Sequence, residues 1–244
     1  HGGLEKYLRA KLDLFWRLPK TGLAAINRDD ASANRFRAAT AAHGLFYGES
    51  GTEGGGHEWR IRTISITGQG IEFDIGGQTI ISSLLGRFNF YNILAAVSVG
   101  LNQHVPIGKI AMAVERITGI PGRLEFVSET RGVKIYNDTT ATTPDATVAA
   151  LRALGSKKKN IVLIAGGADK GLDMSDLKKE IPKWCKAVVL IAGTGTDKLT
   201  YNLKPITYNL FGNIPYYLTG FLLRIIGELD PPPARVVLMT QREV

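Results

Sequence analysis

The chain has 244 residues, 44% of them hydrophobic, and carries 30 Lys/Arg against 22 Asp/Glu for a net charge of +8. That is enough to bury a sizeable core in one or two domains, yet no stretch approaches the roughly 18 to 20 uninterrupted apolar residues of a membrane helix. The basic excess is spread thinly, at 14 Lys/Arg against 11 Asp/Glu in residues 1–127, 13 against 8 in 128–204 and 3 against 3 in 205–244, so it argues for no nucleic-acid partner.

Residues 4–15 put Leu4, Tyr7, Leu8, Leu12 and Phe15 on one face, which predicts an opening helix. Leu23–Asn27 reads as a short buried strand. Trp59–Ile66 and Ile71–Ile75 alternate apolar and polar residues around a glycine turn and read as a β-ribbon, with Gly54-Gly55-Gly56 as a loop. Helices are expected from Asn89 and over 107–117.

From Val133 the rhythm becomes strand (133–136), helix (144–154), strand (160–165), helix (174–184) and strand (187–192). Such alternation predicts a parallel sheet covered by helices, a Rossmann-like α/β domain, with a boundary near 125–130. The basic run Lys157-Lys158-Lys159 falls between patterns as a solvated turn. After Gly193-Thr-Gly195 no further helix is expected.

Four strings could carry chemistry. Lys11 sits on the opening helix, where a lone lysine is normally a surface charge. Asn89 and Asn92, three apart, would lie at a helix N-terminus, one capping and one free to meet a ligand edge. The third pairs Gly119-Ile-Pro-Gly-Arg123-Leu-Glu with Asn137-Asp138-Thr-Thr-Ala-Thr142-Thr-Pro-Asp. A strand ending in Asp and hydroxyls before a Pro-started helix puts polar groups at the carboxyl edge of a sheet, although capping by Thr143 would explain part of it. The fourth, Gly166-Gly-Ala-Asp-Lys170-Gly-Leu-Asp173, is a glycine-rich turn with a lysine at its tip. It could admit an anion, although it is no Walker A loop. One cysteine, Cys185, and scattered histidines at 1, 43, 57 and 104 give no disulfide and no His/Cys metal site.

In this order the strings resemble the Mur ligases over about residues 1–200. Residues 1–127, with Gly2-Gly-Leu-Glu-Lys-Tyr-Leu-Arg-Ala-Lys11, Ile26-Asn-Arg-Asp-Asp30 and Leu84-Leu-Gly-Arg-Phe-Asn-Phe-Tyr-Asn92, look like part of the central ATPase domain of the tripeptide-forming branch. Residues 128–204, with Asn137–Asp145, Gly166–Asp173 and Gly193-Thr-Gly-Thr-Asp-Lys-Leu199, look like the C-terminal domain of the D-glutamate-adding branch.

The resemblance implies an α/β fold and an ATP- and magnesium-dependent ligase that joins an amino acid, D-glutamate by preference, to a UDP-MurNAc peptide through an acyl phosphate. A cytoplasmic location, with neither membrane nor nucleic acid as partner, goes with it. Lys11 matches a carbamylated lysine that helps place magnesium, and Asn89, Asn92, Arg123 and Asp138 match nucleotide-contacting residues. Thr142 and Lys170 match residues that hold the incoming amino acid's carboxylates. Thr140 stands where the D-glutamate branch commonly has lysine.

The family's phosphate-binding loop lies upstream of anything matching Lys11, so the chain alone is expected to be incompetent. Residues 205–244 contain Tyr208-Asn-Leu-Phe-Gly-Asn213-Ile-Pro215-Tyr216-Tyr and Leu238-Met-Thr-Gln-Arg-Glu-Val244, and resemble a segment of the ribosomal-RNA adenine dimethyltransferases. The alternatives are a strand, a turn and a helix at 218–229 that complete the sheet, or a non-catalytic chimera.

Overall fold

A computed structural model describes residues 3–54, 56–156, 158–191, 193–200 and 235–238. They divide into two compact units, the first running to Ser83 and resuming over Arg87–Thr118, the second made of Leu84–Gly86 and the described residues from Gly119 on.

The first unit opens with helix α1 (Leu4–Trp16), strand β1 (Leu23–Asn27), helix α2 (Ala33–Ala38) and strands β2 (His43–Gly48), β3 (Gly51–Gly54), β4 (His57–Thr67), β5 (Gly70–Ile75) and β6 (Gln78–Ser82). The six strands lie in sequence order in one sheet, β1 and β2 parallel and the rest antiparallel. Helices α3 (Arg87–Asn102) and α4 (Ile107–Glu115) complete it.

Phe90, Ile93, Leu94, Val97 and Leu101 are the apolar residues of α3 that are buried. Phe90 meets Phe73 of β5 edge to face at 5.3 Å between centroids. A second cluster joins Ala24, Ile26 and Ala42 to Phe15, Phe36 and Phe46, which seats α1 and α2 on the parallel end of the sheet.

The second unit contains β7 (Glu125–Thr130), β8 (Val133–Asn137), α5 (Pro144–Leu154), β9 (Ile161–Ala165), α6 (Ser175–Trp184), β10 (Cys185–Leu190), α7 (Thr194–Thr200) and β11 (Arg235–Leu238). Its sheet has the order β10-β9-β11-β8-β7, parallel except for β7. All five residues of β9 are buried, as expected of a strand covered on both faces.

Three expectations are corrected. A helix, α7, does follow Gly193-Thr-Gly195; glycine in its first turn and a length of seven residues hide it from propensity, while buried Leu199 and the Thr196 hydroxyl, which donates to the Ile191 and Gly193 carbonyls, hold it. Asn89 does not cap α3, because the helix begins at Arg87 and encloses it. Gly54 closes β3 rather than lying in a loop, its positive φ bringing its backbone against that of Leu45. Arg235–Leu238, within residues 205–244, pairs in parallel with both β8 and β9, which agrees with the alternative that this segment completes the sheet. The residues singled out there, Asn213, Pro215 and Tyr216, and the helix expected at 218–229 lie outside the described residues.

Helices α5 and α6 are joined by one buried carboxylate. Glu180 accepts hydrogen bonds from Arg152 at 2.8 Å, Lys183 at 2.9 Å and the Trp184 indole at 2.6 Å. Gly155 makes room for the indole, since a Cβ there would lie 2.3 Å from it. The donors, Arg152 first, hold the Glu180 carboxyl down to about 2. A folded-state value below the ordinary one contributes stability above about pH 4.5 that is lost as pH falls toward 2. Glu180→Gln is expected to cost about 1–3 kcal/mol at pH 7 in urea denaturation. The gap to the parent chain should narrow at pH 3 and close only as pH approaches 2; an equal gap at pH 7 and pH 3 would contradict this account.

Candidate functional site

A cleft of about 90 Å³ opens at the carboxyl edge of the second unit's sheet, between the ends of β8 and β9 and the starts of α5 and α7. Its wall includes the hydroxyl residues Thr139, Thr142, Thr143, Thr147 and Thr196, and its apolar part Leu172, Met174, Leu177 and Leu199. Among the described residues Lys170 is the one charged side chain that lines it. Ligands of open α/β sheets bind at this edge because the strands end there and the loops diverge.

Each wall has a local cause. Pro144 opens α5 at a position that needs no N–H donor, and the Thr143 hydroxyl accepts from Ala146 N–H at 3.3 Å, so the capping reading of Thr143 holds. Thr142 precedes that cap and is exposed into the opening.

On the opposite side the turn after β9 crosses the start of α7 backbone to backbone. Gly195 N–H donates to the Gly167 carbonyl at 3.0 Å, and a Cβ at either Gly193 or Gly195 would stand 2.9 Å from that oxygen. The turn then folds on itself: Gly171, at φ +70°, donates to the Asp169 carboxylate at 2.8 Å and leaves Lys170 at the exposed tip. The Asp173 carboxylate accepts from both the backbone and the hydroxyl of Ser175, which lowers its pKa.

Arg123 and Asp138 belong to a second cluster at the end of β8. Ile120-Pro-Gly-Arg123 forms a turn closed by Arg123 N–H to the Ile120 carbonyl at 3.0 Å, with proline second and Gly122 third at φ +72°. The Gly122 carbonyl accepts from the Thr140 backbone at 2.9 Å and the Thr140 hydroxyl at 2.7 Å. Glu125 answers with bonds from Gly122 N–H at 2.9 Å and the Asn137 amide at 3.1 Å. The two strings thus interlock, and Leu124 N–H reaches Asp138, 14 residues on, at 3.0 Å. Leu124 holds a left-handed φ of 43° while buried.

The other site residues lie in the first unit. Lys11 is exposed on α1 with its ammonium 5.4 Å from the Tyr7 ring centroid. Asn89 is buried in α3 and accepts from the exposed Asn92 amide at 3.2 Å. Sequence reasoning missed a polar knot beside them: Asp29 accepts from Glu49 N–H at 2.7 Å and from the Tyr91 hydroxyl at 3.0 Å, and Arg87 pairs with Glu49. The Asn27-Arg-Asp-Asp30 string was the available signal for it. Among the described residues no group of three His, Cys, Asp or Glu side chains could hold a metal ion, and no helix is long and apolar enough to cross a membrane.

A parallel α/β unit with a hydroxyl-lined cleft and a lysine-tipped glycine turn defines a Rossmann-like ligand-binding domain. Residues 1–100 match the Mur ligase middle domain and residues 122–206 the glutamate ligase domain of the same family. The chain belongs to the Mur ligase family.

It is 36% identical over 224 residues to a UDP-N-acetylmuramoylalanine–D-glutamate ligase of Roseiflexus sp., covering 84% of this chain and 45% of the relative. It is 29% identical over 234 residues to a UDP-N-acetylmuramoyl-L-alanyl-D-glutamate–2,6-diaminopimelate ligase of Listeria monocytogenes, covering 88% and 45%. The chain therefore spans just under half the length of these curated relatives. The fold is that of MurF from Acinetobacter baumannii, with a TM-score of 0.74 at 19% identity over 98% of this chain and 53% of that one. It is shared with MurF from Thermotoga maritima solved with ADP, at TM-score 0.72 and 15% identity over 98% and 54%.

Burial raises the Asp138 carboxyl to about 6, against the lowering effects of the Leu124 N–H and of Arg123. A carboxyl whose folded value exceeds its unfolded one is most stabilising when protonated, so its contribution is complete below about pH 4 and lost as pH rises through 6. Asp138→Asn keeps an acceptor for Leu124 and removes the titration. The parent chain is expected to lose on the order of 2–3 kcal/mol between pH 4 and pH 7 that the variant keeps. An equal change in unfolding free energy between pH 4 and pH 7 for the parent and the variant, measured by denaturant titration, would refute the assignment.

Proposed function

We propose that this chain serves an ATP-dependent ligase of peptidoglycan precursor synthesis that adds D-glutamate to UDP-MurNAc-L-alanine, working in the cytoplasm. The observation that carries the choice of amino acid is the charge of the cleft: one cation, Lys170, and no carboxylate among its described lining residues. A dicarboxylate finds an ammonium and several hydroxyls there. Diaminopimelate or lysine would bring a second ammonium with no anion to meet it, and desolvating an unpaired charge is costly. The similarity to the Roseiflexus ligase, whose name specifies D-glutamate, agrees.

In this reading Lys170 and the Thr142 hydroxyl hold the amino acid's carboxylates and leave its amine directed outward. The peptide carboxylate attacks the γ-phosphorus of ATP and releases ADP; the amine nitrogen then attacks the acyl carbon and phosphate leaves. Arg123 and Asp138, fixed by the Gly122 turn, meet the nucleotide, the carboxylate accepting from ribose hydroxyls. In the first unit, Asn89 and Asn92 match residues that contact a nucleotide.

Lys11, as a neutral amine, would add carbon dioxide and lose a proton to give a carbamate, the one magnesium donor this reading takes from the chain. Since the described acidic side chains gather in no three-ligand group, no step is assigned to the metal. Residues 1–127, 128–204 and 205–244 would serve as nucleotide part, amino-acid part and tail, with Arg235–Leu238 of the tail built into the second sheet.

A tripeptide-forming activity is the second reading, favoured by the resemblance of residues 1–127 to that branch, while one contact of the D-glutamate reading is put in question by Thr140. Its hydroxyl is engaged by the Gly122 carbonyl, so it adds no cation for a second carboxylate.

Titration of the chain with D-glutamate and with meso-diaminopimelate, followed by NMR, decides between them. D-Glutamate is expected to bind the more tightly and to lose about tenfold or more in Lys170→Ala, the scale of one charge-assisted contact. Tighter diaminopimelate binding would favour the second reading. With ADP as ligand the order should reverse: Asp138→Ala and Arg123→Ala weaken binding and Lys170→Ala does not. Loss of ADP affinity in Lys170→Ala alone would make the glycine-rich turn a phosphate site instead.

A further inference from the structure

We infer that Thr194 is a positioning residue for Lys170, acting through Asp169, and so sets the affinity of the amino-acid cleft from outside it. The inference rests on the reading of Lys170 as the carboxylate-binding cation.

Lys170 stands at the tip of a turn, and a lysine carries its ammonium on a flexible stem with no rigid fork to orient it. Its placement therefore depends on where the backbone holds the tip. The residue before it, Asp169, is tied on both sides: its N–H donates to the Thr194 hydroxyl at 2.9 Å, and its carboxylate accepts from Gly171 N–H at 2.8 Å. The first bond joins the turn to the start of α7, the second closes the turn over Lys170.

Between these two bonds the tip has little freedom left. The crossing of Gly167 and Gly195 supplies one point of attachment, an N–H to carbonyl bond at 3.0 Å. The Thr194 bond lies two residues further along the turn and one residue earlier on α7, so it supplies the second point that fixes the angle of the turn.

Thr194 itself does not line the cleft, although its neighbours Gly195 and Thr196 do. Its influence on a ligand must pass through the Asp169 backbone. Threonine is well suited to this role, because the hydroxyl oxygen can accept from the Asp169 N–H while the β-branched side chain restricts χ1. Valine has the same shape without the acceptor, and serine has the acceptor without the methyl group.

These differences can be read from D-glutamate binding to the whole chain in Thr194→Val, Thr194→Ser and Lys170→Ala, with thermal midpoints measured alongside. Thr194→Val is expected to weaken binding by about fivefold to tenfold, the worth of one lost hydrogen bond, and Thr194→Ser to stay within about twofold of the parent. The amide resonance of Lys170 should shift in Thr194→Val and return in Thr194→Ser. A Lys170→Ala loss without a Thr194→Val loss would overturn the positioning role and leave the reading of Lys170 intact. If Lys170→Ala leaves binding unchanged, the reading itself fails and the inference with it. Should Thr194→Val and Thr194→Ser both weaken binding and lower the midpoint together, Thr194 is a stability residue and the inference is wrong.

Discussion

The second unit depends on a single close approach, the backbone of Gly167 against that of Gly195. Two loops leave the carboxyl edge of the sheet there and cross with an N–H to carbonyl bond at 3.0 Å, in a space where any Cβ at Gly193 or Gly195 would stand 2.9 Å from the Gly167 oxygen. Glycine is needed for the space it leaves as much as for its dihedral freedom. Because the loops cross instead of diverging freely, this contact brings one wall of the cleft against the first turn of α7, and the bonds of Asp169 to Thr194 and Gly171 then set the tip that carries Lys170. Gly166 extends the same constraint inward, since a Cβ there would meet Ile191 at 2.8 Å.

At the other end of the edge the same outcome is reached by polar means. The Pro-Gly turn at 121–122 presents one carbonyl to two donors of Thr140 and one N–H to Glu125. The result is a buried Asp138 with a single backbone donor from Leu124. Desolvation outweighs that bond and the nearby Arg123, which is why the carboxyl rises instead of falling. Glu180 is equally buried by area but receives three donors, two of them cationic, and moves the opposite way. At Glu180 the donors outweigh desolvation, and at Asp138 desolvation outweighs the donors.

Family membership and substrate choice rest on different features. Sequence similarity extends across relatives whose names differ in the residue they add, so family membership does not by itself select an amino acid. In the reading proposed above, selection among amino acids falls to the side chains around the cleft. One lysine, a row of threonines and a floor of Leu172, Met174, Leu177 and Leu199 are what a substrate would meet.

Much of this was legible in the sequence because it depends on local chemistry. The period of the apolar residues gave α1, the β4–β5 ribbon and the β8-α5-β9-α6-β10 alternation; Thr143-Pro144 gave the start of α5; and Gly166–Lys170 and Asp138–Thr142 were singled out because glycines and hydroxyls after a strand have few other uses. Three things were decided only by tertiary structure. The helix α7 forms against its own glycine because Leu199 and Thr196 find partners in the folded unit. Asn89 is enclosed in α3 because packing against the sheet extends the helix back to Arg87. Arg235–Leu238 enters the sheet between β8 and β9, some 70 residues after the latter, since a strand's partners are chosen by the backbone hydrogen bonds left unpaired between two others and not by nearness in the chain.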